Sequence, residues 1–204
     1  MSTPISAELV KKLRDLTGAG FMECKAALTE ANGDIEAATT LLRKRGLASA
    51  AKKAGRTTSQ GAIGSYIHMG GKIGVLVEVN CESDFVARTD QFAALVKEIA
   101  MHIAAADPRH VRREEVPAQA LEKEKEIYRA QLVQAGKKPE LLEKIVDGKL
   151  DSYYEQVVLL DQKSIRDPAV KVSQIIAEAT AKMGENITVS RFARFKIGEE
   201  NPQS

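Results

Sequence analysis

The chain has no tryptophan, and aromatic residues make up only 4% of its 204 residues. That is too few for the aromatic stacking platform on which single-stranded nucleic acids bind. There are two cysteines, Cys24 and Cys81, with neither a CxxC arrangement nor a metal-ligand spacing. A reduced, cytoplasmic protein without a resident metal or cofactor is therefore expected. Three histidines leave little material for acid–base work, and no paired carboxylates, HExxH, GxSxG or Walker A pattern occurs. No apolar run approaches the ~18–20 residues that span a bilayer. Met1-Ser2-Thr3-Pro4 has neither a charged nor an apolar leader region, so no signal peptide is expected. The net charge is only +2, which gives no strong field toward nucleic acid or anionic membranes.

The remainder is an ordinary globular composition, 44% hydrophobic and 28% charged. Charge is uneven along the chain: residues 1–60 carry ten Lys/Arg against six Asp/Glu, and residues 57–106 carry three against five. Residues 5–46 read as three short helices. Ser6 is placed to cap the first, which carries Leu9, Val10, Leu13 and Leu16; Gly18-Ala19-Gly20 ends it. The second runs from about Phe21 to Ala31, and Asp34 starts the third, which stops at Gly46. The small, basic stretch 47–60 reads as a linker with a helical start, dividing a module (1–50) and linker (51–60) from the rest (61–204).

The hydrophobic period then changes from helical to alternating. Ala62–His68 and Ile73–Asn80 flank Gly70-Gly71, a hairpin signal. Thr89 caps a helix bearing Phe92, Leu95, Val96, Ile99 and Ile103. His102 falls on its apolar face and reads as a packed core histidine. Residues 118–160 are charged and helical, broken at Gly136–Pro139 and again at Gly148; their thin apolar stripe suits a projecting helical hairpin. Ser173 caps a last helix closed by Gly184. Residues 187–197 form a strand whose alternation slips between Val189 and Phe192, the mark of a bulge. The fold class is α+β: a three-helix module, a linker, and a small antiparallel sheet covered by helices.

One segment has no packing role that its composition explains. Between the valine-rich strand and its following helix comes Asn80-Cys81-Glu82-Ser83-Asp84-Phe85-Val86-Ala87-Arg88, which sets a charge beside a large apolar ring. An isolated Asp-Phe pair would read as a turn cap next to a core residue. Here the stretch Val77–Ala87 resembles the core motif of the elongation factor Ts family, with Ser83 where the family usually has Thr. The stretch Leu13-Arg14-Asp15-Leu16-Thr17-Gly18-Ala19-Gly20-Phe21-Met22-Glu23-Cys24-Lys25-Ala26-Ala27-Leu28 resembles the same family's N-terminal helical module, which is similar to ubiquitin-associated domains.

The resemblance implies a non-enzymatic guanine nucleotide exchange factor for elongation factor Tu. Leu13, Arg14, Thr17, Gly18, Ala19, Gly20, Phe21 and Met22 are implied contacts of the module with the Tu G domain, and His68 a contact of the core. Ser83, Asp84, Phe85 and Val86 are implied to disturb the partner's Mg2+ site, with Phe85 as a wedge. Residues 118–160 resemble the family's coiled-coil protrusion. Longer family members resemble two fused core halves, whereas this chain has one hairpin; a homodimer forming a two-to-two complex is therefore expected. Two other classes remain open on the residues alone. One is a peptide-binding adaptor using the three-helix module. The other is an RNA-binding accessory using the basic run Arg43–Arg56, which would show a steep salt dependence.

Overall fold

The computed structural model describes residues 5–199; Met1–Pro4, on which the reading of the leader rests, lie outside them. The local signals start the helices where a side chain can replace a missing acceptor. Helix α1 (Ala7–Thr17) begins at Ser6, whose hydroxyl accepts from Leu9 N–H at 3.2 Å. Helix α2 (Phe21–Glu30) begins at Gly20, whose N–H donates to the Glu23 carboxylate at 3.1 Å. Helix α3 (Ile35–Lys53) begins at Asp34, which accepts from Ala37 N–H at 3.0 Å. Val10, Leu13, Cys24, Ala27, Leu28 and Ala38 form the small core these helices share.

The third helix does not stop at Gly46. It runs on to Lys53, so the stretch read as a linker from residue 47 or 51 is largely helical and only residues 54–59 connect it to the sheet. The reason is tertiary. A Cβ on Gly46 would lie 3.2 Å from Ala181 Cβ, so the glycine lets α3 pass close to α8 (Val172–Met183). Arg43 adds an ion pair to Glu178 at 3.0 Å across the same contact.

The sheet contains β1 (Gln60–Ile67), β2 (Ile73–Cys81) and β3 (Thr188–Lys196) in that order, all antiparallel. Gly70 and Gly71 have φ of 87° and 68° in the hairpin turn, a conformation side chains with a Cβ rarely adopt. Glu78 faces Arg191 while Val79 faces Val189, so Ser190 is the extra residue of the expected bulge. One face of the sheet is covered by α5 (Asp90–Ala106) and α8, with Val75, Val77, Val79, Phe92, Ile99 and Ile103 in the core. The other face is bare: Ile63, Ile67, Leu76 and Phe195 all lie exposed on it.

Between β2 and α5 lies a single helical turn, α4 (Asp84–Ala87). Beyond α5, α6 (Ala118–Gln134) and α7 (Pro139–Val157) form the expected helical hairpin. Leu132, Val146 and Leu150 are its buried residues, and Arg129 holds Glu143 by two hydrogen bonds of 2.8 and 3.0 Å. The break expected at Gly148 is absent, since α7 continues through it. Nor does Ser173 cap α8: the N-cap is Lys171, whose N–H donates to the Gln174 side chain at 2.9 Å. His102 is buried, as its helical position predicted. Among the described residues, no helix is long and apolar enough to cross a membrane.

Candidate functional site

Strand β2 ends at buried Cys81, whose thiol donates to Ser83 O at 3.1 Å and is pushed to higher pKa, first by burial and then by Glu185. Ser83 caps α4, its hydroxyl accepting from Val86 N–H at 3.4 Å. At the other end Thr89 donates to Val86 O at 2.8 Å while capping α5 through Phe92 N–H at 3.2 Å. The chain therefore reverses between two hydroxyl caps separated by one turn of helix.

Successive helical residues point about 100° apart, so a single turn sends its side chains in opposed directions. Val86 and Ala87 pack on the sheet core. Phe85 points outward and is 82% exposed. The bland reading of this pair, with Phe85 in the core and Asp84 as a cap, is thereby excluded. Asp84 is the first residue of α4 and pairs with Arg88 at 2.9 Å. Both partners are accessible, and such a pair contributes little to stability.

The turn is also held from a distance. Glu185 Oε2 accepts from Glu82 N–H at 3.1 Å and Ser83 N–H at 2.9 Å, and its Oε1 accepts from the Ser83 hydroxyl at 2.5 Å. In return, Glu82 Oε1 accepts from Asn186 N–H at 2.6 Å. The buried Asn186 side chain donates to Ala54 O at 3.3 Å and Arg56 O at 2.8 Å. These three residues tie the end of the N-terminal module, the α4 turn and the α8–β3 turn into one junction. Sequence reading missed them: Glu185 and Asn186 read only as the passage from a glycine-stopped helix to a strand. An asparagine becomes visible as a structural group only when its burial is known.

His68 sits just past β1 in the hairpin turn, exposed, with Tyr66 Oη 3.1 Å from its Nδ1. In the module, Thr17 Oγ1 donates to Leu13 O at 2.8 Å and accepts from Ala19 N–H at 3.3 Å. Gly18 closes α1 at φ 69°, and a Cβ there would lie 2.6 Å from Lys182 Cε. Arg14, Gly18, Gly20, Phe21 and Met22 are exposed, and Thr17 and Ala19 half-buried. Met22 is 71% exposed. Leu13 differs: it is fully buried, so its expected place among the contact residues is corrected to a core position that supports them.

The architecture is that of an α+β protein presenting apolar groups on two hydrogen-bonded turns, one in a helical module and one at the end of the sheet's central strand. The family profile described as Elongation factor TS matches residues 23–199. Elongation factor Ts of Geobacter sulfurreducens is 58% identical over 96% of this chain and 90% of that protein. Those of Fervidobacterium nodosum and Thermosipho melanesiensis are 61% and 60% identical, over 96% of this chain and 99% and 100% of theirs. The chain belongs to the elongation factor Ts family.

Proposed function

We propose that the protein is the guanine nucleotide exchange factor of elongation factor Tu, binding Tu·GDP and promoting GDP release without making or breaking a bond. The observation that carries this is Phe85, a large apolar side chain 82% exposed on a turn capped at both ends. A hydrophobic ring held out in water has no stabilising role in the free chain, but it can enter an apolar crevice of a partner. Asp84, at its side, brings a carboxylate toward the region where Tu holds Mg2+ against the nucleotide phosphates. Magnesium neutralises those phosphates, and disturbing its ligands weakens GDP. The factor binds the loosened form of Tu more tightly; reciprocally, nucleotide rebinding weakens the factor's hold and releases it.

In this reading Phe21, Met22 and the turn at 17–20 supply docking, and His68 adds a contact from the hairpin. The functional unit is a homodimer, assembled through the bare sheet face of Ile63, Ile67, Leu76 and Phe195. The test of the reading is release of fluorescent GDP from Tu. The protein should accelerate it many-fold; an unchanged rate at micromolar protein would refute the assignment.

A further inference from the structure

Helix α4 has four residues and buries none of them. Only Val86 and Ala87 pack, half-buried, against the sheet core, so the orientation of Phe85 on the opposite side depends also on what holds the two ends of the turn. Thr89 holds the C-terminal end locally. At the N-terminal end the hold is non-local. One carboxylate, Glu185, takes the N–H groups of residues 82 and 83 and the Ser83 hydroxyl, all within 2.5–3.1 Å. Hydrogen bonds to an ionised acceptor are stronger than neutral ones, and three on one side chain leave the turn little freedom to rock. Glu82 and Asn186 close the same junction from the opposite side.

We propose that Glu185 is a positioning residue for nucleotide exchange: by clamping residues 82–83 it fixes the angle at which Phe85 meets the partner. The proposal rests on the exchange reading above and deepens it. A wedge that rocks must be ordered as it binds, and a displaced one meets the crevice at the wrong angle; both lower the rate at which the bound complex loses GDP. The hydrogen bonds of Glu185 go to residues 82 and 83. The docking turn instead meets α8 at Lys182, and Asn186 keeps its own bonds to residues 54 and 56, so docking is left intact. Loss of the clamp therefore lowers the maximal rate while the half-saturating concentration stays nearly constant.

The experiment measures fluorescent GDP release from Tu against concentration of the full chain, in wild type and in E185A, E185D and E185Q. Amide hydrogen exchange is followed at residues 82 and 83 in each. In E185A the two amides should lose protection while those of β2 keep it, and the maximal rate should fall about tenfold with the half-saturating concentration within about twofold. Glutamine can still accept the two N–H groups and donate to the Ser83 hydroxyl, so E185Q should restore most of the rate. E185D keeps the charge but withdraws it by about 1.5 Å, one carbon–carbon bond, and should fall between. If E185A does not fold, E185D decides. Opened amides at 82 and 83 with a wild-type maximal rate, in either variant, would overturn the proposal. A wild-type protein that does not stimulate GDP release would instead overturn the exchange reading on which it rests.

Discussion

Phe85 and Val86 are neighbours in sequence with opposite fates, and their difference defines the residue scale of the function. Val86 packs on the core, so its truncation would cost stability. Phe85 has almost nothing to lose: at 82% exposure, F85A should change the free energy of unfolding by less than about 0.5 kcal/mol, whereas a buried phenylalanine would cost ~3–5 kcal/mol. Stimulated GDP release should nevertheless fall strongly. A large drop in melting temperature together with normal exchange would reverse this assignment. His102 shows the contrasting case of a histidine that is purely structural. Gln162 Nε2 donates to Ala106 O at 3.2 Å and Gln156 O at 2.8 Å, which leaves its Oε1 to accept from His102 Nε2–H at 2.9 Å. Nδ1 is buried with no partner among the described residues, and burial holds the imidazole below its ordinary 6.5. The unfolded chain takes up a proton at about 6.5 that the folded core resists. Stability is thus full above that pH and is lost as pH falls from it through the folded value. Urea unfolding at about pH 7.5 and about pH 5.5 should show the loss, and H102Q should show a smaller one; equal pH dependence in both proteins would remove His102 from the explanation.

At the scale of elements, local chemistry was legible wherever it acts alone. Ser6, Asp34 and Thr89 cap the helices they were expected to cap, because a hydroxyl or carboxylate satisfies an orphan N–H whatever surrounds it. The glycines at 70 and 71 turn the hairpin, and the slipped alternation after Val189 is a real bulge. Two errors came from glycine read as a helix stop, and a third from Ser173 read as the cap of α8, which begins at Lys171 instead. Gly46 sits inside a helix because α8 needs the space above it, a long-range fact with no local signature. The Ala-rich run after it is in any case a good helix former. Gly148 has no such excuse: nothing lies within 4 Å of its missing Cβ, and its φ is not positive. It is simply a tolerated cost in a 19-residue helix. G148A should therefore stabilise the protein by ~0.5–1 kcal/mol, visible as a higher urea midpoint at unchanged slope. An unchanged or lower midpoint would mean that the α6–α7 hairpin melts independently of the global transition. The clamp of Glu82, Glu185 and Asn186 was not legible at all, since its partners are about a hundred residues apart.

For the whole molecule, the decisive feature is a sheet covered on one side only. Across the bare face run Ile63, Ile67, Leu76 and Phe195, with Ile197 just beyond β3, each at least half exposed. The register sets Leu76, on the central strand, between the small side chains of Ser65 and Ala193. A monomer rarely leaves so many large apolar groups on one surface, and three strands with one covered face make a small core. A second copy related by a two-fold axis would place the same face against itself, packing two sheets about 10 Å apart. Such a pair would let one Tu meet His68 from one chain and Phe85 from the other. Light scattering at micromolar concentration should then give about twice the 22.2 kDa chain mass, and the complex should hold about two Tu per dimer. Leu76→Lys puts a charge at the centre of the face, where burying it unpaired is costly, and should yield a folded monomer with weakened exchange activity. A wild-type protein that is strictly monomeric yet forms an active one-to-one complex would overturn the dimer. It would also end the sharing of His68 and Phe85 between chains, because both contacts would then have to come from one copy of the hairpin and its following turn.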